Sequence, residues 1–86
     1  MPKLELRGRI EDDLVALLGE QLAGISAEDG SVEIDLEHAR IDEPAVAKSV
    51  AEVLLEGGDR LGPIRVIGAP AELRALIDGD ARVTLA

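Results

Sequence analysis

The sequence predicts one small α/β domain in which strands and helices alternate, β-α-β-α-β-α-β, around a four-stranded, largely parallel sheet. Three observations carry that expectation. Apolar residues switch between a period of two and a helical period from one segment to the next. Glycine and proline cluster at the changeovers. A length of 86 residues leaves room for one domain, spanning 1–86. Consecutive strands separated by helices run parallel and are joined by right-handed crossovers.

The first strand is expected near 4–8, where Leu4 and Leu6 alternate with charged residues and Gly8 interrupts the pattern as a bulge residue does. A helix follows near 12–25, its stripe formed by Leu14, Leu17, Leu18, Leu22 and Ile25. Glu11, Asp12 and Asp13 stand at its start, where the helix dipole favours anions. Val32, Ile34 and Leu36 alternate with Glu33 and Asp35 to give a strand at 32–36, and Glu37-His38-Ala39-Arg40 reads as a polar loop. The second helix is expected at 44–56, with Pro44 at its first position, Val46, Val50, Val53 and Leu54 inward, and Gly57-Gly58 as its stop. Lys48, Glu52 and Glu56 lie on its outer face. A strand at 63–67, a helix at 71–78 with Leu73, Leu76 and Ile77 inward, and a strand at 82–85 complete the chain. The expected core is Leu6, Leu14, Leu18, Ile34, Leu36, Val50, Val53, Leu54, Val66, Leu73 and Ile77.

Composition excludes several function classes. Leu, Ile and Val supply 27 residues (13, 7 and 7), enough for an aliphatic core. With no Phe, Tyr or Trp, stacking on bases, sugars or methylated amines is excluded. The net charge of −9 opposes binding to nucleic acid and to anionic membranes. Without cysteine there is no disulfide, thiolate metal site or thiol nucleophile. The first residues lack the apolar stretch of a signal peptide, and no apolar run approaches membrane-spanning length, so a soluble, cytoplasmic protein is expected.

Catalytic constellations are sparse. The single histidine, His38, stands beside Asp35, Glu37, Asp42 and Glu43, a grouping that chance gives readily in a chain with 18 acidic residues. Of the hydroxyls, Ser26, Ser31, Ser49 and Thr84, none lies in a nucleophile motif, and nothing specifies a Ser49–His38 pair. Gly57-Gly58-Asp59-Arg60-Leu61-Gly62 follows a helix, the wrong context for a phosphate-binding loop. No catalytic residue, metal site or cofactor is therefore expected.

Three stretches resemble the STAS family, the anti-sigma-factor-antagonist-like domains. Leu4-Glu5-Leu6-Arg7-Gly8-Arg9-Ile10-Glu11 is similar to the family's strand end before its first helix. Val32-Glu33-Ile34-Asp35-Leu36 with Ile41-Asp42 is similar to its central strand and switch loop. Pro63-Ile64-Arg65-Val66-Ile67-Gly68-Ala69-Pro70, continued by Ala71-Glu72-Leu73-Arg74-Ala75-Leu76-Ile77, is similar to its later strand and helix. In that family the loop reads Asp-Ser-Ser-Gly, and a partner kinase that is also an anti-sigma factor phosphorylates one serine to switch binding. Here the stretch is Asp42-Glu43-Pro44-Ala45, so the hydroxyl is gone. The segment from Asp35 to Asp42 is one residue shorter than in the family, and the family's amino-terminal hairpin strand before Leu4 is missing or truncated. Glu43 reads as a carboxylate at a helix start, or as a permanent charge that partly mimics a phosphate.

The resemblance implies a non-catalytic interaction module. Its partner surface would be Asp42, Glu43, Pro44, Ala45, Lys48 and Ser49, extending along the helix to 56. The partner would be an anti-sigma or kinase-like regulator or a transporter ATPase, and the chain's charge favours one with a basic face. The alternative is an assembly subunit whose last strand, Arg82–Leu85, pairs at a sheet edge in homo- or hetero-oligomers. A small-ligand binder or enzyme is the third reading.

Overall fold

The computed structural model describes residues 2–86. The main elements follow the expected order: β1 (Lys3–Arg9), α1 (Asp12–Ala23), β2 (Val32–Arg40), α2 (Pro44–Leu61), β3 (Ile64–Ile67), α3 (Ala71–Ile77) and β4 (Val83–Leu85). A 3-10 turn at Ala27–Asp29 precedes β2 and is closed by a reciprocal cap between Ser26 and Asp29. All strand pairs are parallel, and their spatial order is that of the sequence, β1-β2-β3-β4.

Sequential order has a geometric consequence. Each right-handed crossover advances one strand in the same direction, so the helices all lie on one face of the sheet. Burial follows this rule. Leu6, Val32, Ile34, Leu36, Ile64, Val66 and Val83 are buried beneath the helices, whereas Lys3, Glu5, Arg65 and Thr84 on the other face are exposed. α2 is the middle helix and packs on both α1 and α3.

The flanking helices have a neighbour on one side only, and their apolar stripes are narrower than expected. On α1 the buried residues are Val15, Leu18 and Leu22, while Leu14 is half-buried and Leu17 is 45% exposed. On α3, Leu73 and Ile77 are buried but Leu76 is 49% exposed, which corrects its inward assignment. Val53 of α2 is also half-buried, and the remaining expected core residues are buried.

α2 does not stop at Gly57-Gly58 but continues to Leu61, with Gly62 at φ 91° as its cap. The glycines serve close packing instead. A Cβ on Gly57 would lie 2.9 Å from Ile64 Cδ1 and 3.3 Å from Leu22 Cδ1. A Cβ on Gly58 would lie 2.3 Å from the carbonyl oxygen of Arg82. The extra turn also carries Arg60 to the end of α1, where its guanidinium donates to the Ile25 carbonyl at 2.9 Å and to the Leu22 carbonyl. The Leu22 carbonyl, in the last turn of α1, also accepts the Ile25 N–H, and Ile25 lies just beyond the helix cap.

β2 continues past its expected end at Leu36 through a bulge. Glu5 pairs with Asp35 and Arg7 with His38, so Leu36 and Glu37 together face Leu6. Inward positions change from even to odd beyond it: Leu36 is buried, then Ala39 half-buried and Ile41 buried. The Glu37 N–H donates at 2.9 Å to Oδ1 of Asp35, which is 9% exposed. Gly68, at φ 66°, lets the chain leave β3 over this bulge. A Cβ there would lie 2.5 Å from Glu37 Cγ and 2.7 Å from its Cα.

Four substitutions test this account by urea denaturation. Gly58→Ala should cost about 2 kcal/mol or more, because its obstacle is backbone. Gly19→Ala, with nothing within 4 Å of its Cβ, should instead stabilise α1 by roughly 0.5–1 kcal/mol. Asp35→Ala should cost about 1–3 kcal/mol through the unsatisfied Glu37 N–H, and Asp35→Asn, which keeps an acceptor, should cost less.

Candidate functional site

Parallel strands end together, and the crevice beyond their carboxyl ends is the usual ligand position in open α/β sheets. Here β1 and β2 run past β3, and the starts of α1 and α2 rise beside their ends. The result is an open cleft of about 320 Å³ lined by Arg9, Ile10, Glu11, Asp12, Asp13, Asp42, Glu43 and Val46. Its floor is apolar, from buried Ile10 and Val46. The Ile10 N–H donates to the Arg40 carbonyl at 2.8 Å and ties the two strand ends together. The rim holds five carboxylates against one arginine.

The ion pairs on this rim divide its residues. Arg9 lies 2.5 Å from Glu11 Oε1 and 3.9 Å from Asp42 Oδ2, and Arg40 Nε lies 3.2 Å from Asp42 Oδ1. Arg9 and Arg40 are direct register partners, an arrangement of like charges that destabilises a sheet. The Asp42 carboxylate between them offsets it. Because these side chains are largely exposed, each pair contributes about 0–1 kcal/mol. Glu43 is different. It occupies the N-cap position of α2, with Pro44 next, and its side chain makes no capping hydrogen bond. Its carboxylate, with those of Asp12 and Asp13, stands at the positive end of a helix dipole and faces solvent.

Of the residues expected to bind a partner, Asp42, Glu43, Pro44 and Ala45 form one exposed stretch, and Lys48 continues it along α2. Ser49 is half-buried, and its hydroxyl donates to the Ala45 carbonyl at 3.1 Å. Among the ion pairs of the described residues none joins Lys48 to Glu52, four positions apart on α2. Sequence reading missed the contribution of the β1–α1 junction, Arg9 to Asp13. The adjacency of β1 and β2 was the signal that would have found it.

His38 does not join this site. It is exposed and pairs in register with Arg7 on the sheet face opposite the helices, away from Ser49. Among the described residues no three His, Asp or Glu side chains are grouped so as to hold a metal ion. No helix is long and apolar enough to cross a membrane among the described residues. In comparisons with known proteins, the chain matches no family model and no curated protein.

A second charged cluster lies at the start of β4. Arg82 donates from Nε and Nη2 to the two oxygens of Asp80, at 3.0 and 2.9 Å, and its backbone N–H donates to Asp80 Oδ1 at 2.9 Å. Its third nitrogen reaches Asp59 Oδ2 on α2 at 3.1 Å. The side-chain hydrogen bonds from Arg82, aided by its backbone N–H, lower the Asp80 carboxyl to a pKa of about 2, and the same contacts raise Arg82. This clamp holds β4 against the end of α2.

A carboxyl whose folded pKa is lowered stabilises the fold above its unfolded value, and that contribution is lost as pH falls through the folded value. The Asp80 contribution should therefore be complete above about pH 4 and vanish toward pH 2. Carboxyl-detected NMR titration should place the Asp80 midpoint near 2, and Arg82→Ala should return it to the ordinary aspartate range.

Proposed function

We propose that this chain is a non-catalytic protein-interaction module of STAS-like type, which binds a partner protein through the stretch from Asp42 to Ser49 and the outer face of α2. The observation that carries the reading is the rim of the cleft. Five carboxylates crowd one exposed mouth, and Glu43, Asp12 and Asp13 have no basic side chain bonded to them among the described residues. Such a surface favours a partner with a basic face and speeds its encounter. The α/β winding and the position of the Asp42-Glu43-Pro44-Ala45 stretch support the family resemblance.

The reading has no phospho-switch. Glu43 and Pro44 have no hydroxyl, and Ser49 sits within α2 with its hydroxyl engaged by the Ala45 carbonyl. Glu43 supplies a standing negative charge in its place, weaker than a phosphate.

The partner is an anti-sigma or kinase-like regulator or a transporter ATPase, and the experiment is affinity capture from native cells followed by mass spectrometry. A protein held by the wild type should be lost with Asp42→Ala/Glu43→Ala and retained with Glu28→Ala/Glu72→Ala, which removes the same charge elsewhere. Capture should weaken with added salt. Equal effects from both pairs would reduce the interaction to general electrostatics. Intact-mass analysis of the native protein should show no +80 Da species on Ser49, and a substantial one would overturn the constitutive reading.

A further inference from the structure

The sheet has two free edges, and they are unlike. β4 is three residues long, and short edge strands resist pairing. β1 is seven residues long, and among the described residues nothing pairs with its outer side. The carbonyl of Pro2 and the N–H of Ile10 both bond to β2. Parallel ladders alternate, so even positions face β2, and the N–H and C=O groups of Lys3, Glu5 and Arg7 point outward.

Below this edge lies an apolar cleft of about 160 Å³ between β1 and α1, lined by Leu4, Leu6, Leu14, Leu17 and Leu18 among others. Leu17, one of the two large apolar side chains that stand exposed among the described residues, is at its mouth. An unpaired ladder and an apolar seam thus run side by side.

We propose that this edge joins two copies of the chain, β1 pairing antiparallel with β1 about a two-fold axis at Leu6. Charge selects the occupant and the register. Hydrogen-bonding positions must face one another, and an axis at Glu5 would set Glu5 against Glu5. An axis at Leu6 sets Glu5 of each copy against Arg7 of the other. Arg7 Nε already lies 3.0 Å from its own Glu5 Oε1, so the dimer closes a four-charge array across the axis. The same axis brings Arg9 opposite Lys3, a like-charge pair that Glu11 and Asp42 beside Arg9 offset. The axis is perpendicular to the sheet, so both helix layers fall on one face and the two Leu17 side chains cover the Leu6 pair.

Sedimentation velocity over a concentration series tests the pairing. The wild type should show a reversible dimer. Glu5→Arg sets Arg against Arg7, and Arg7→Glu sets Glu against Glu5, so each alone should raise the dimer Kd about tenfold or more. An equimolar mixture of the two variants restores both opposite-charge pairs and should recover the dimer. Leu17→Glu should also weaken it, with unchanged circular dichroism in every variant. A wild type that stays monomeric at all concentrations would overturn the proposal, as would a dimer indifferent to both charge variants. A mixture that fails to recover would overturn the Leu6 register.

Discussion

The contact on which the rest of the structure depends is the approach of α2 to the sheet at Gly57 and Gly58. In a one-sided winding the middle helix alone touches both flanking helices, so its distance from the sheet sets theirs. At Gly58 that distance leaves no space for a Cβ, since the Arg82 carbonyl oxygen would lie 2.3 Å from it. Bringing the backbones this close places Leu54 and Leu61 of α2 in one buried core with Ile64 and Val83 and lets the short strand β4 be held against α2. The Arg82 clamp to Asp80 and Asp59 lies beside the same contact, and Arg60 extends it to the end of α1. One turn of helix therefore ties together α1, β3 and β4.

That turn is also where local sequence rules mislead. A Gly-Gly pair after a regular apolar stripe carries the chemistry of a helix stop, because glycine costs roughly 1 kcal/mol in a helix interior. Tertiary packing outweighs that cost here, and nothing local announces it. Elsewhere the pattern was legible. The alternation of periods gave every main element its type and order, Pro44 opens α2 as read, and most of the expected core is buried. The errors at Leu17 and Leu76 share a cause. Periodicity shows that a helix has an apolar stripe, but not that the helix sits at the end of a layer where half of that stripe has nothing to cover.

The bulge in β2 explains why the site was only half visible. Period-two alternation breaks at Leu36 and Glu37, so the polar residues beyond look like a loop. They are strand, and they carry Arg40 up beside Arg9 and deliver Asp42 between the two. Asp35, which alternation placed on an open polar face, is instead the acceptor that satisfies the bulge. The loop residues Asp42 and Glu43 are those that the family resemblance implies. Their neighbours on the β1–α1 junction needed the strand order, which no local pattern contains.

Strand order also decides the character of the other face. All-parallel sheets are normally covered on both sides. This one is not, and its outer face is built accordingly from cross-strand charge. Lys3, Glu33 and Arg65 lie in one row across three strands, with Glu33 3.7 Å from Lys3 and 3.6 Å from Arg65. Exposed pairs of this kind add little stability. They keep the face wet, so that water can serve the polar groups there without a second helix layer. The same solution fails at the β1 edge, because side chains of a strand project above and below the sheet and not along its plane. Charge on the outer face cannot cover the ladder groups of Lys3, Glu5 and Arg7, and on the inner face Leu4 and Leu6 adjoin the exposed Leu17. A one-sided winding thus satisfies its open face with charge and leaves, in the longer of its two edge strands, the longest row of ladder hydrogen bonds that another chain can complete.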